Sequence, residues 1–277
     1  MSRITPVFDK LREQRRKALI PFITAGDPEP AMMVPLMHEL VRAGADIIEL
    51  GVPFSDPMAD GPAIQRSSER ALAYRVGLND VLSMVEAFRK SNGTTPVVLM
   101  GYANPVEAMG YEVFAARAKG CGVDGVLTVD YPPEEAGELV RHLENQQLDA
   151  IFLLSPTTAE ARIEKVAQFA TGYIYYVSLK GVTGSHRLDL RDVAAKLAEV
   201  RSRVSIPIGV GFGIRDKATA KAVAELADGV VVGSRIVEEI EKSSRGELLA
   251  NVYQLVSSLR AAVDEAGWEQ KSLTEQC

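Results

Sequence analysis

Short apolar runs recur along the chain at 18–24, 45–52, 95–101, 125–129, 150–154, 173–178, 206–211 and 229–232, each with Gly, Pro, Ser or Asp at its end or within two residues beyond it. Each is close to the length of about 5–6 residues usual for a strand and is rich in Ile, Val, Leu and Tyr. The runs are nearly continuous rather than alternating, as expected of parallel strands covered on both faces. Between them lie apolar positions at helical spacing, over 33–41, 81–88, 113–118, 136–143, 163–169, 193–200 and 218–226. The chain opens on a further helical pattern. Ile4, Val7, Phe8 and Leu11 share one face, Thr5 is placed to cap it and Pro6 suits its first turn. Arg12, Arg15, Arg16 and Lys17 then read as a solvated helix end.

Eight strand–helix units without a break in composition predict an α/β fold, a single (β/α)8 TIM barrel with an extra N-terminal helix. It takes in residues 1–277, with the extra helix in 1–17 and a polar tail at 268–277. An open doubly wound sheet is the alternative. It would carry a glycine-rich dinucleotide fingerprint after the first strand, and Thr24-Ala25-Gly26-Asp27-Pro28 is not one.

In such barrels the working residues stand at the C-terminal ends of the strands. The second run, Ala-Asp-Ile-Ile-Glu-Leu-Gly-Val-Pro, encloses Glu49 between Ile47, Ile48, Leu50 and Val52. A carboxylate deprived of water favours its neutral form, which makes a proton donor that also serves as a base. The competing reading is a structural carboxylate satisfied by backbone amides or a cation, although no strand carries an internal Lys or Arg to pair with it. The following loop, 53–62, holds three prolines with Asp56 and Asp60 and should be stiff. Asp60 either accepts a hydrogen bond from a substrate N–H or caps a helix over 62–72.

The last three strand ends carry Gly181-Val182-Thr183-Gly184, Gly211-Phe212-Gly213 and Gly233-Ser234, the last opening a helix over 235–241. Exposed backbone N–H groups beside a helix N-terminus suit a phosphate, and late strand ends are its usual place in this fold. A Schiff-base route would need a lysine at a strand end, and Lys180 is the candidate. His38, His142 and His186 are scattered, so no metal is expected.

Composition narrows the field further. A net charge of -6 disfavours nucleic acid, which needs clustered Lys and Arg. No run approaches the ~20 apolar residues of a membrane span. Two cysteines, Cys121 and Cys277, make a disulfide framework implausible and point to a reducing, cytoplasmic setting.

Together these segments resemble the alpha subunit of tryptophan synthase. The likeness rests on Pro21-Phe22-Ile23-Thr24-Ala25-Gly26-Asp27-Pro28, on Glu49-Leu50-Gly51-Val52-Pro53-Phe54-Ser55-Asp56-Pro57, and on Ala59-Asp60-Gly61-Pro62. Gly101-Tyr102-Ala103-Asn104-Pro105 and the three late glycine segments extend it from the first strand to the eighth.

The resemblance implies retro-aldol cleavage of indole-3-glycerol phosphate to indole and glyceraldehyde 3-phosphate, late in tryptophan biosynthesis. It implies Glu49 as the acid–base catalyst, Asp60 at the indole N–H, and Tyr175 as an active-site tyrosine, unless Tyr175 is only a core aromatic. Phe22, Met100, Leu127 and Phe212 would line the indole pocket, with Tyr102 also at the substrate and Thr183 closing over it. Gly184, Gly213, Gly233 and Ser234 would hold the phosphate. It further implies a pyridoxal-phosphate beta subunit as partner in an alpha2-beta2 complex, docked at Pro53, Asp56, Pro57, Asn104 and Pro105, and no cofactor in this chain. Met100, Tyr131 and Leu179-Lys180 depart from the commoner family pattern. A free-standing lyase of the same fold and a barrel that binds ligand only to activate a partner are the other two readings.

Overall fold

The computed structural model describes residues 2–177, 190–211 and 213–266. Eight parallel strands close into a barrel in chain order, with the first paired to the eighth. They are β1 (Ala18–Thr24), β2 (Ile48–Gly51), β3 (Val97–Gly101), β4 (Gly125–Thr128), β5 (Asp149–Leu154), β6 (Ile174–Val177), β7 (Ile208–Gly211) and β8 (Gly229–Val232). The predicted architecture is therefore the observed one.

Among the described residues there are twelve α-helices: α1 (Ile4–Glu13), α2 (Met33–Arg42), α3 (Pro62–Ala73), α4 (Leu78–Arg89), α5 (Ala103–Met109), α6 (Tyr111–Cys121), α7 (Gly137–Asn145), α8 (Glu160–Phe169), α9 (Leu190–Arg201), α10 (Lys217–Ala224), α11 (Ser234–Lys242) and α12 (Leu248–Asp264). The units after β2, β3 and β8 each hold two helices, so α3, α5 and α11 are additions to the repeating pattern. Each follows the C-terminal end of its strand, at the edge where the site lies.

Two apolar cores follow from this layout. One lies between the barrel and its ring of helices, and residues such as Leu50, Val126 and Val210 face it. The other fills the barrel, where Ile20, Val98, Ile151 and Val231 meet Ile4, Phe8 and Leu11 of α1. Helix α1 thus plugs the N-terminal mouth with the face its spacing predicted. Burying a side chain such as Phe8 stabilises by about 1.5–3 kcal/mol. Its start differs from expectation. Thr5 lies inside α1, Arg3 is the residue before it, and Ser2 Oγ accepts from the Ile4 N–H at 3.0 Å. Arg3 is itself held by the buried Asp124 through its backbone N–H and guanidinium, at 3.0 and 2.8 Å, which fixes where the helix begins.

Candidate active site

At the C-terminal end of the barrel the strand ends enclose a cavity of about 530 Å3. Phe22, Asp60, Met100, Tyr175, Gly213, Gly233 and Ser234 all line it, drawn from β1, β3, β6 and the loops after β2, β7 and β8. Residues 49 and 127 do not. Glu49 lies beneath the floor, and Leu127 packs in the core inside the barrel. The wall at β4 is instead made by Thr128 and Val129. Leu127 and Val129 face the same way, but two strand residues rise about 6.6 Å, which leaves Leu127 a layer too low. Thr183, Gly184, Phe212 and Lys180 lie outside the described residues.

Glu49 is wholly buried, in register with Phe22 of β1 and Val98 of β3. Tyr173, on the opposite side of the barrel, donates its hydroxyl to Glu49 Oε1 at 2.5 Å. The second oxygen, Oε2, is buried with no hydrogen-bond partner. Burial pushes the carboxyl up to about 8, against the opposing pull of the Tyr173 hydrogen bond. At neutral pH burial therefore favours its protonated form. The tyrosine is held from below, its ring 5.9 Å from that of Phe8 in α1.

Sequence reasoning points to Tyr175 and misses Tyr173. Tyr173 directly precedes β6 and shares the inward side with Tyr175, so a period of two could have drawn attention to both. Tyr175 reaches the cavity wall, and burial holds its phenol well above the ordinary value, with the Glu49 and Asp60 charges adding to the effect. Its ring lies across Gly211, where any side chain would collide with the tyrosine hydroxyl. Phe22 leans on Gly51 in the same manner, since a Cβ there would sit 2.5 Å from the ring.

Asp60 does not cap α3. The residue before that helix is Gly61, without a side-chain cap, and Asp60 Oδ2 instead accepts from the Tyr102 hydroxyl at 3.1 Å. Burial raises the Asp60 carboxyl and the Tyr102 hydrogen bond lowers it. Tyr102 is not among the residues that line the main cavity and sits beside Phe22, Asp60 and Met100, which do. The same hydroxyl accepts from the Ala59 N–H at 3.1 Å, and Phe54 stacks on the ring at 4.9 Å between centroids. One tyrosine thus pins the loop of residues 53–61 at three points.

Elsewhere in the cavity lining, Gly213 adopts φ +77, and Gly233 and Ser234 lead into α11. The free N–H groups at such a helix start favour an anion. On the outer face of the same loop as Asp60, Asp56 and Met58 are exposed, Met58 to 85%, and Asn104 is exposed on α5. Pro57 is half-buried, as is Pro105. Pro53 is buried shortly after β2.

A family profile described as tryptophan synthase alpha chain matches residues 8–264. The chain belongs to the tryptophan synthase alpha chain family. It is 73% identical over 266 residues to the tryptophan synthase alpha chain of Nitrosospira multiformis, covering 96% of this chain and 95% of that one. Identity to the alpha chain of Nitrosomonas europaea is 64%, over the whole length of both. The crystal structure of tryptophan synthase subunit alpha from Legionella pneumophila superposes with a TM-score of 0.89 at 46% identity, covering 96% of this chain and 99% of that one. Tryptophan synthase from M. tuberculosis in an aminoacrylate-bound form gives 0.85 at 35% identity, covering 95% and 100%. No helix among the described residues is long and apolar enough to cross a membrane.

Proposed function

We propose that the barrel cleaves indole-3-glycerol phosphate to indole and glyceraldehyde 3-phosphate, with Glu49 moving the protons and Asp60 holding the indole. The reaction is the lyase step of the tryptophan synthase alpha chain in tryptophan biosynthesis. The observation that carries the residue assignment is Glu49, a carboxyl held near pKa 8 beneath a cavity lined by both Asp60 and the Gly233–Ser234 helix start.

Protonated Glu49 gives its proton to the indole carbon that bears the glycerol chain. The ring becomes a cation, and Asp60 offsets its charge at the N–H. The Glu49 carboxylate then takes the proton of the chain hydroxyl next to the ring. That carbon becomes the aldehyde, the carbon–carbon bond breaks, and its electron pair returns to the ring. Glu49 ends protonated as it began. To reach the ring, its side chain must leave Tyr173 and turn up into the cavity, and the unpartnered Oε2 lowers the cost of doing so. Phe22 and Met100 supply an apolar wall for the ring.

The family's alpha chain works with a beta subunit, to which pyridoxal phosphate belongs. The exposed Asp56, Met58 and Asn104 are the docking surface in this reading, within an alpha2-beta2 complex. A cytoplasmic setting is supported by the low cysteine content.

The decisive test is indole release from indole-3-glycerol phosphate, with and without a beta subunit, by the natural chain and by Glu49→Gln. Turnover by the natural chain, stimulated by the partner and abolished by Glu49→Gln, is expected. Full turnover by Glu49→Gln would overturn the assignment of the catalyst.

A further inference from the structure

The two added helices that begin at the site on either side of β1, α3 after Asp60 and α11 at Ser234, pack against each other and against β1. Between them runs a continuous set of ion pairs. Glu241 of α11 accepts from Arg66 Nε and Nη2 at 2.8 and 2.7 Å, and from Arg70 Nη1 at 2.8 Å. Arg70 also grips Asp27, in the loop after β1, through Nε and Nη2 at 2.7 and 2.9 Å. Asp27 is wholly buried, and the arginine pair on Glu241 holds that carboxyl down at about 2.

Such forked contacts fix direction as well as distance. They are also tied to the entry of α3. Arg66 Nη1 donates to the Pro62 carbonyl at 3.4 Å, and Gln65 Nε2 donates to the Asp60 carbonyl at 2.9 Å. A lone surface ion pair would contribute little. This one joins three segments, each of which leads on from a strand end at the site. None of these arginines lines the cavity, so they act only through the helices they hold.

We propose that Arg66, Arg70 and Glu241 are positioning residues that set the spacing between the Asp60 end and the Gly233–Ser234 end of the site. The proposal rests on the function assigned above. A substrate with a ring at one end and a phosphate at the other gains from both contacts only when that spacing is right. Each half taken alone is indifferent to it.

The test compares three probes in the natural chain and in Glu241→Gln: indole, inorganic phosphate, and an unreactive analogue in which a propyl chain joins indole to phosphate. The analogue's Kd is expected to rise about tenfold in the variant through loss of joint binding, with the Kd of each half changing less than about twofold. Arg66→Lys, which keeps the charge and loses the fork, serves as the second variant, with a rise of about threefold expected. An unchanged analogue Kd, or an equal rise for all three probes, would overturn the proposal. If the natural chain itself fails to bind the analogue, the functional reading falls and the positioning role with it. Binding by the natural chain that Glu241→Gln leaves intact removes only the positioning role.

Discussion

Replacing Glu49 by Gln removes an ionisable group from the barrel interior and leaves its shape almost unchanged. The Gln carbonyl can still accept the Tyr173 hydrogen bond, so the difference between the two proteins isolates the cost of burying an acid. That cost depends on pH. Below the ordinary value of 4.5 the carboxyl is protonated in both the folded and the unfolded chain. Between 4.5 and about 8 the unfolded chain gives up its proton while the folded one keeps it. Each pH unit in that window then disfavours the folded state by about 1.4 kcal/mol, and above it the loss levels off. The gap of about 3.5 pH units amounts to about 5 kcal/mol, a large share of the 5–15 kcal/mol that stabilises a typical domain. Urea unfolding of both proteins from pH 5 to pH 9 measures this directly, because every other titrating group is common to the two and cancels. The advantage of Glu49→Gln is expected to grow from about 1 kcal/mol at pH 5 to between about 4 and 5 kcal/mol at pH 9. A difference that stayed level across this range would refute the claim that burial holds Glu49 protonated.

Three further outcomes follow from the same geometry. Asp60→Asn keeps the size and the Tyr102 contact but removes the charge that offsets the ring cation, so kcat should fall by about 10²–10³-fold with thermal stability little changed; a steady-state assay beside a melting curve checks both. Gly211→Ala places a methyl group against the Tyr175 ring and should cost about 1–3 kcal/mol in urea unfolding, together with most of the indole-releasing activity. Met58→Asp puts a charge on the exposed tip of the docking loop and should weaken beta-subunit binding by about tenfold or more, measured by titration, while turnover by the isolated chain stays as it was.

The strands are legible because each is an apolar run bounded by turn residues, and β1 and β8 begin and end where those runs do. The run at 45–52 overstates its strand, since its first residues turn out of α2 before the ladder starts at Ile48. Helix α12 carries Leu248, Val252, Val256, Leu259 and Val263 at helical spacing, a signal that the eight-unit pattern leaves unused. At α1, Thr5 offers a plausible cap only while Ser2 and Asp124 are out of view; the second of these is 121 residues away from Arg3. Within the site, Glu49 stands out because one acid interrupts an apolar strand. Its partner does not, because Tyr173 looks like any core aromatic until closure sets β6 opposite β2. Local sequence leaves Asp60 open, since a helix does begin two residues later. Only Tyr102, from the next strand, shows what the carboxyl is bound to.

The barrel repeat itself is nearly symmetric, and the chemistry needs the opposite. One end of the substrate is an apolar ring that must become a cation, and the other is a phosphate. The chain breaks the symmetry with its added helices. Helix α3 follows Asp60, α5 follows the Tyr102 that holds Asp60, and α11 starts at the glycine and serine proposed to hold the phosphate. Each lengthens one strand–helix connection without disturbing the closed sheet beneath. Glu49 uses the part of the barrel that stays regular, where the closed sheet and α1 bury it and burial favours its protonated form. In the proposed reaction the regular sheet thus sets the acidity of Glu49, and the irregular rim sets what it acts upon.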